Sequence, residues 1–359
     1  MEIDAETQQS ETETVKRRDI RDLLLPELER VVADAGQPRF RAGQLAQWLY
    51  ARRVESFDAM SNLPAAFREY LKKYFKLYPL PVAVVDHSSD GTTKLLLRLF
   101  DGREIESVII PSDGRVTLCI SSQAGCAMGC AFCATARMGL ERNLTTAEIV
   151  AQVITAARYP EDGQHLTNYV FMGMGEPLAN YPRLTRALAI MTSPWGMGIS
   201  PRRITVSTVG LVPMIEKLMA ETSVHLAVSL TATTNELRDR LAPINRRYPL
   251  EQLIEACRRL DLGRRRITFE YVMLAGVNDS AADAARLVRL MAPLRAKVNL
   301  IFFNPFAGSG FAPSSREAVE RFQAILLKGN LTATIRESRG RDIAAACGQL
   351  RVEHQAPAA

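Results

Sequence analysis

Three cysteines at close spacing are the residues of this sequence best suited to chemistry. Cys126, Cys130 and Cys133 follow the pattern Cx3CxxC and are bracketed by Gly125 and Gly129. Glycine lets the backbone turn tightly, so this loop can aim three thiolates at one inorganic centre, whereas a continuous helix would spread them over different faces. The pattern therefore favours metal ligation over three cysteines that only pack in a core.

The number of nearby ligands limits which metal this loop could bind. Structural zinc uses four ligands, usually as two pairs, and no fourth Cys or His lies close by: the histidines are at positions 87, 165, 225 and 354. A four-iron cluster also takes four cysteines as a rule, so three leave one iron open to a small molecule. A catalytic iron–sulfur cluster is the first hypothesis, and structural zinc is the second.

The elements that must position this loop alternate between strand and helix. Apolar runs typical of strands cover 117–122, 168–171, 204–208, 224–230, 267–274, 298–303 and 333–337. Helical patterns cover 146–158, 184–191, 213–220, 250–260, 281–291 and 315–327. The alternation predicts parallel strands with crossover helices, an open or closed α/β barrel whose chemistry belongs at the carboxyl ends of the strands.

Two smaller sections precede the barrel. Helical patterns cover 23–35, 42–53 and 63–77, and two strand patterns, 94–100 and 104–110, meet at the hairpin signal Asp101-Gly102. The helical section is rich in basic and aromatic residues, which could bind RNA. Alternatively, the aromatic residues form the core of this section and the basic residues its solvated face. The predicted layout is a disordered tail (1–18), a helical accessory domain (19–80), a β-hairpin section (81–115), the barrel (116–350) and a second tail (351–359).

Composition limits the class of protein. The 359 residues are 47% hydrophobic and 23% charged, which excludes collagen-like, disordered and disulfide-scaffold proteins. A net charge of +6 favours a polyanionic partner, with nucleic acid first. The sequence has no secretory signal pattern and no stretch apolar enough to span a membrane. Its six cysteines do not resemble a disulfide framework, which predicts a cytoplasmic location.

Several further motifs accompany the cysteine loop. They are TLCISSQAGC (117–126), RNLT (142–145), FMGMGEP (171–177), APIN (242–245), FNPF (303–306) and AACGQ (345–349). With Cx3CxxC, they make the chain resemble the radical S-adenosylmethionine (SAM) enzymes, and within them the RlmN/Cfr family of RNA adenine methyltransferases, closest to its RlmN branch. The resemblance runs from about residue 39 to residue 350.

This resemblance implies a partial (βα) barrel of the radical SAM type and two cofactors, a 4Fe–4S cluster on Cys126, Cys130 and Cys133 and two SAM molecules per turnover. In this family the open iron binds SAM, and electron transfer cleaves it to a 5′-deoxyadenosyl radical. The SAM contacts that the resemblance implies are Gly175, Glu176, Ser207, Ser229, Leu230, Thr231 and Asn304. One departs from the family pattern, because Thr231 stands where a histidine is common.

The implied reaction is methylation at C2 of an adenine in 23S rRNA and, as a further expectation, in tRNA. By resemblance, Cys347 carries the methyl group, Cys119 is the thiol that resolves the protein–RNA adduct by forming a disulfide, and Glu106 takes the ring proton. Cys257 is interpreted as structural. Further expectations are a reducing electron donor such as flavodoxin, a monomer and no membrane partner.

Two other functions stay open from the sequence. The first is a Cfr-like methyltransferase that acts on adenine C8 and confers antibiotic resistance, although the Glu176-Pro177 pair favours the RlmN branch. The second is a non-catalytic RNA-binding protein with a structural metal. Arginine clusters at 202–203, 246–247, 258–259 and 264–266 are candidate phosphate contacts, or ordinary solvated faces.

Overall fold

The computed structural model describes residues 17–161 and 163–351. The two predicted tails lie outside these ranges, apart from residues 17–18 and Arg351. The helices are α1 (Leu25–Asp34), α2 (Arg41–Ala46), α3 (Ala65–Tyr74), α4 (Ala134–Arg137), α5 (Thr146–Ala156), α6 (Tyr181–Thr192), α7 (Val212–Glu221), α8 (Asn235–Leu241), α9 (Leu250–Arg259), α10 (Ala281–Met291) and α11 (Arg316–Lys328). The strands are β1 (Arg18–Asp19), β2 (Phe75–Lys76), β3 (Val82–His87), β4 (Thr93–Arg98), β5 (Glu104–Ser112), β6 (Arg115–Cys119), β7 (Gln123–Gly125), β8 (Leu140–Asn143), β9 (Asn168–Phe171), β10 (Ile204–Thr208), β11 (His225–Ser229), β12 (Ile267–Met273), β13 (Ala296–Phe302) and β14 (Ala333–Arg336).

Ten of these strands form one sheet, in the order β14-β13-β12-β11-β10-β9-β6-β5-β4-β3. Every neighbouring pair from β6 to β14 is parallel, and helices α5 to α11 lie in the connections between these strands. Parallel strands joined by crossover helices bury both faces of a sheet, which agrees with the apolar strand sequences. The predicted α/β barrel is confirmed, and it is open, because β14 and β3 do not pair with each other.

The predicted hairpin is part of this same sheet. β4 and β5 pair antiparallel as expected, but β5 also pairs with β6, and β4 pairs with β3, a strand that the sequence analysis missed. The register places Glu106 opposite Leu96 and Val108 opposite Cys119. The antiparallel extension thereby brings Glu106 into the sheet beside the strand that carries Cys119.

The N-terminal helices form a small module whose buried residues continue the core of the barrel. Trp48, Tyr50 and Phe67 are buried, and the Tyr50 ring packs against Trp195 of the barrel, whereas Phe40 is exposed. The helix predicted over 42–53 ends at Ala46 and continues as one wider helical turn over Gln47–Ala51. Most aromatic side chains of this module therefore pack inside the protein and are not available to contact RNA.

Several polar contacts attach this module to the barrel, and two of them are made by Asp22. The Asp22 carboxylate accepts a hydrogen bond from the amide of Ala147, at the start of α5 (2.8 Å), and Arg186 on α6 donates to the Asp22 carbonyl (2.6 Å). α5 is buried along its whole length, because it lies between this module and the sheet. In the described residues, no helix is both long and apolar enough to cross a membrane.

The RNLT motif fastens the hairpin to the barrel. Arg142 donates to Asp101, in the turn of the hairpin (2.6 Å), and to Glu148 on α5 (2.8 Å). Thr145 caps α5, since its hydroxyl accepts from the Glu148 amide (3.1 Å) while the Glu148 carboxylate accepts from the Thr145 amide (2.8 Å). The motif is therefore structural in its contacts and fixes the segment that follows the cysteine loop.

Candidate active site

The cysteine loop directly follows β7, and its glycines determine its shape. Gly125 has φ +74°, and a Cβ atom there would overlap the carbonyl oxygen of Gly139, the residue before β8. That carbonyl accepts a hydrogen bond from the Cys126 amide (2.8 Å), and the Ala131 amide donates to the carbonyl of Leu241 at the end of α8 (2.9 Å). The predicted glycine-dependent loop is present, and it packs directly against α8.

Gly125→Ala should disrupt this loop, because the new methyl group has no space and the left-handed φ is unfavourable for any residue with a side chain. We expect a loss of about 3 kcal/mol or more in unfolding free energy, measured by urea denaturation, together with loss of bound iron. Gly139→Ala is the matched control: its φ is +73° and its Cβ would be in open space, so it should cost only about 1 kcal/mol. Equal effects of the two substitutions would contradict the steric explanation.

One cavity collects most of the predicted site residues. It encloses about 1010 Å³, part of it open to solvent, at the carboxyl ends of the parallel strands. The predicted residues that line it are Cys126, Cys130, Cys133, Gly175, Glu176, Ser207, Ser229 and Cys347. The remaining predicted residues, which do not line it, are Glu106, Cys119, Leu230, Thr231 and Asn304.

The three loop cysteines lie in surroundings that disfavour free thiolates. Burial raises the pKa of Cys126 to about 11, and it raises the pKa of Cys130 further, with the neighbouring cysteine thiolates adding to the effect. Within the two described ranges, no three Cys, His, Asp or Glu side chains are already arranged as a coordination shell. The donor set nevertheless fits an iron–sulfur cluster: three soft sulfur ligands on one loop, facing a cavity whose positive occupant would stabilise their ionised forms.

Glu176 uses its carboxylate to join two strand ends. It accepts hydrogen bonds from the amides of Leu178 (3.1 Å) and Val209 (2.9 Å), and burial raises its pKa to about 7. Gly175 has φ +99°, and a Cβ there would overlap Gln123. Because the Glu176 side chain is occupied internally, the part of this motif that is free to contact a ligand is the backbone around Gly175.

Ser207 and Ser229 lie at the ends of β10 and β11 and face the cavity. Neither caps a following helix, since the residue that precedes α7 is Leu211 and the one that precedes α8 is Thr234. Both hydroxyls are thus placed to contact a ligand in the cavity.

Thr231 has an unusual conformation just after β11. Its φ is +55°, a left-handed value that is unfavourable for a β-branched residue, and its buried hydroxyl has no hydrogen-bond partner among the described residues. Its carbonyl accepts from the side-chain amide of Asn278 (2.8 Å), and the Leu230 amide donates to the carbonyl of Glu270 (2.9 Å). Leu230 and Thr231 therefore shape the strand end from behind the cavity wall.

Cys347 lies on a C-terminal segment that is fastened to the cysteine loop. The Ala134 amide donates to the Gly348 carbonyl (2.7 Å), and the Thr135 hydroxyl donates to the Leu350 carbonyl (2.6 Å). Asn304 is buried, and its side-chain amide donates to the Cys347 carbonyl (3.2 Å). These bonds hold Cys347 at the same cavity as the three loop cysteines, with its side chain exposed to solvent.

Cys119 lies in the sheet next to this segment. It is buried at the end of β6, and burial, followed by the charge of a nearby Cys347 thiolate, raises its pKa to about 12. The charge of the Arg336 guanidinium lowers the pKa of both thiols, and Arg336 lines the same cavity as Cys347. Both cysteines are unpaired thiols in this structure.

Glu106 lies just beyond the cavity, under the end of the C-terminal segment. One carboxylate oxygen is 3.1 Å from the Lys94 ammonium, and the other accepts a hydrogen bond from the Arg351 amide (2.8 Å). Burial raises the pKa of Glu106, and this effect outweighs the lowering caused by the Lys94 ammonium. The negative charge of Asp86, which also contacts Lys94, adds a smaller increase to the pKa of Glu106. Glu106 is thus a carboxylate with an elevated pKa, the property expected of a general base.

The sequence analysis missed several residues that complete this region. Arg336 and Glu270 line the cavity from β14 and β12, and Asn278 holds the backbone of Thr231. A charged residue inside an otherwise apolar strand, as at Glu270, was a signal that could have revealed one of them.

Comparisons with known proteins agree with these features. Residues 120–288 match the model of the radical SAM superfamily, and residues 18–77 match the N-terminal domain of ribosomal RNA large subunit methyltransferases. The dual-specificity RNA methyltransferases RlmN of Geotalea uraniireducens and Geobacter sulfurreducens are 51% and 52% identical. These alignments cover 94% and 93% of this chain and 97% and 92% of the relatives. The crystal structure of a radical SAM methyltransferase from Sphaerobacter thermophilus, 49% identical, superimposes with a TM-score of 0.90 over 94% of this chain and all of that one.

Proposed function

This chain belongs to the RlmN family of radical SAM RNA methyltransferases, and we propose that it methylates C2 of an adenine in 23S rRNA and in tRNA. The observation that supports this proposal most strongly is the shared cavity of Cys347 and the three loop cysteines. A thiol that carries a methyl group must lie beside the centre that activates SAM, and these four cysteines meet that requirement. The barrel supplies the remaining cavity wall from its strand ends.

As a member of this family the chain uses a 4Fe–4S cluster and SAM, which together supply a radical able to remove hydrogen from a methyl group. Cys126, Cys130 and Cys133 would hold the cluster, and they leave one position open. Ser207, Ser229 and the backbone at Gly175 border the same cavity and would orient SAM. Adenine C2 lies between two ring nitrogens and is too electron-poor to attack a sulfonium methyl group directly, so the protein must take the methyl first.

Cys347 is the residue proposed to take it. Its thiol faces the cavity, while its backbone is held by Asn304 and, through Gly348, by Ala134. These contacts keep the sulfur at one position for two successive steps, methylation of the thiol and hydrogen removal from the resulting S-methyl group. Once that carbon has bonded to adenine C2, the RNA is joined covalently to Cys347.

Release of the RNA needs a second thiol, which we assign to Cys119. The unpaired electron left by radical addition would pass to the cluster, and Glu106 removes the proton from C2. The Cys119 thiolate then bonds to the Cys347 sulfur, and the Cys347 S–C bond breaks with its electron pair going to the carbon. That carbon takes up a proton, so the methylated adenine leaves as the protein disulfide forms. The two thiols interact electrostatically across the end of β6, which supports this pairing. The Arg336 guanidinium lowers the pKa of both thiols and so favours the thiolate that attacks. The disulfide is then reduced by an external thiol for the next turnover.

Glu106 is assigned as the base that takes the ring proton, and Lys94 tunes it. Lys94→Met should raise the pKa of Glu106 further, because it removes the ammonium group 3.1 Å from the carboxylate. A base must be ionised to act, so the acidic limb of the pH–rate profile should move to higher pH. Single-turnover methylation measured across pH tests this, with Lys94→Arg as the charge-preserving control. An unchanged acidic limb in Lys94→Met would argue against Glu106 as the base.

The finer partner assignments belong to the same proposal. We assign a flavodoxin-type protein as the electron donor and a monomer in the cytoplasm as the working form. The mechanism supports the location, because it needs low-potential electrons and a reductant for the Cys119–Cys347 disulfide. RNA substrates agree with the net charge of +6.

The substrate assignment is tested with deproteinised 23S rRNA and total tRNA, each incubated with the reconstituted enzyme and SAM under reducing, oxygen-free conditions. Mass spectrometry of nuclease digests should locate the new methyl group at adenine C2 in both RNAs. Methylation at C8 would support the Cfr-like alternative. A protein that binds RNA but leaves both RNAs unmodified would support the non-catalytic alternative.

A further inference from the structure

Arg238, on α8, is a completely buried cation without an anionic partner in the described part of the chain. Its side chain is fully shielded from solvent, and no carboxylate oxygen of the described residues lies within 4.0 Å of it. The guanidinium donates to the backbone carbonyls of Val209 (2.6 Å), Leu230 (3.3 Å) and Ser229 (3.4 Å), and to the side chain of Asn245 (3.1 Å). All of these direct partners are neutral, and the Asp239 carboxylate reaches the guanidinium only through the side chain of Asn245, so the cost of burying this charge is only partly offset by the groups that contact it.

The position of Arg238 indicates where a compensating negative charge would lie. Val209, whose carbonyl binds the guanidinium, packs together with Cys130 and Ala242 in one apolar cluster. The end of α8 touches the cysteine loop directly, since the Ala131 amide donates to the Leu241 carbonyl. Arg238 does not line the cavity itself. It therefore lies behind the cavity wall, bonded to the carbonyls of Val209 and Ser229, which line the cavity beside Cys130.

Electrostatics agree with this position. Burial lowers the pKa of Arg238 to about 10, and Cys130 is the strongest of the charged neighbours that oppose this lowering, ahead of Asp239 and Cys257. Within a protein interior such interactions are screened far less than in water. A negative charge at Cys130 would thus be felt strongly at the guanidinium.

We propose that Arg238 is the buried counter-charge of the iron–sulfur cluster and raises its reduction potential. The inference rests on the proposed function, in which Cys126, Cys130 and Cys133 hold that cluster. Three thiolates give the bound cluster a net negative charge, and reduction adds one electron to it. A fixed cation behind Cys130 stabilises the reduced form more than the oxidised form, so the electron donor can reduce the cluster more readily.

The test is a redox titration of the reconstituted protein, followed by the electron paramagnetic resonance signal of the reduced cluster. Arg238→Gln removes the charge but keeps hydrogen-bonding capacity, and its midpoint potential should be more negative than that of the wild type. Arg238→Lys keeps the charge and should stay close to the wild type. The proposal is overturned if Arg238→Gln titrates like the wild type, or if Arg238→Lys shifts as far as Arg238→Gln.

Arg265 provides a matched control far from the cysteine loop. It also donates to backbone carbonyls, those of Val224 (2.9 Å), just before β11, and Leu262 (3.3 Å), in the segment that leads into β12. Both carbonyls thus precede the amino ends of their strands, opposite the end that carries the cavity. Arg265→Gln should leave the midpoint potential unchanged. A shift as large as that of Arg238→Gln would show that removal of any carbonyl-bound arginine alters the potential, and would overturn the specific role of Arg238.

A second pair of variants tests the same proposal without substituting Arg238, so the test still works if the Arg238 variants do not fold. Cys257 is a buried thiol on α9 that interacts with the Arg238 charge and takes no part in the proposed reaction. Cys257→Asp supplies a carboxylate to neutralise Arg238, whereas Cys257→Asn has the same shape without charge. The Asp variant should titrate at a more negative potential than the Asn variant, and equal potentials would overturn the proposal. Iron and sulfide analysis separates this outcome from failure of the proposed function, in which the wild type itself would assemble no cluster.

Discussion

Cys347→Ala should assemble a full iron–sulfur cluster and yet form no methylated RNA. The substitution removes the only thiol outside the cysteine loop that lines the cavity, so the methyl group has no carrier. The loop keeps its backbone bonds, because the carbonyl of Gly348 remains available to the Ala134 amide. We expect product to fall below detection in a methylation assay, with iron and sulfide content unchanged.

Cys257→Ala is the control for this experiment. It also removes a cysteine, but one buried on α9 and away from the cavity, and it should retain methylation of RNA. Methylated adenine produced by Cys347→Ala would exclude Cys347 as the methyl carrier.

Cys119→Ala should accumulate a covalent protein–RNA adduct. In this variant Cys347 can still bond to the adenine, but no neighbouring thiol remains to form the disulfide that releases it. Denaturing electrophoresis should show a slower band that disappears after nuclease treatment, while turnover falls to a single event or less per protein. The double variant Cys119→Ala/Cys347→Ala should show no such band. Normal turnover without an adduct would assign the resolving role to another group.

Local sequence patterns predicted the barrel and the cysteine loop well, because both depend on short-range chemistry. The helix over 281–291 has the bounds of α10, and the strand over 204–208 has those of β10. Gly125 and Gly129 of the cysteine loop have positive φ angles, and the need for glycine at such positions depends only on the local backbone conformation. The helix α8 was missed because it is short and polar in sequence, although Arg238 within it is completely buried.

Contacts between distant residues were beyond such patterns. The side-chain amide of Asn304 donates to the carbonyl of Cys347, a residue far away in sequence. The carboxylate of Glu106 accepts a hydrogen bond from the Arg351 amide, at the far end of the described chain. Such pairings are set by tertiary packing, which no periodicity in the sequence encodes. The SAM and catalytic assignments of these residues stay predictions.

The strand-end serines illustrate the opposite case. A serine at the end of a strand, as at Ser207 and Ser229, can either cap the following helix or contact a ligand, and the sequence alone does not distinguish the two. The structure places both at the cavity and gives the positions before α7 and α8 to other residues. Their role in SAM binding is a prediction that this placement supports.

The most direct test of the account is anaerobic reconstitution of the full chain with iron and sulfide, followed by reduction in the presence of SAM. We expect a brown protein with about four irons per chain, an electron paramagnetic resonance signal that changes on addition of SAM, and release of 5′-deoxyadenosine. Replacement of Cys126, Cys130 and Cys133 by alanine should abolish all three. A colourless protein that binds one tetrahedral zinc ion at these cysteines and leaves SAM intact would contradict the account.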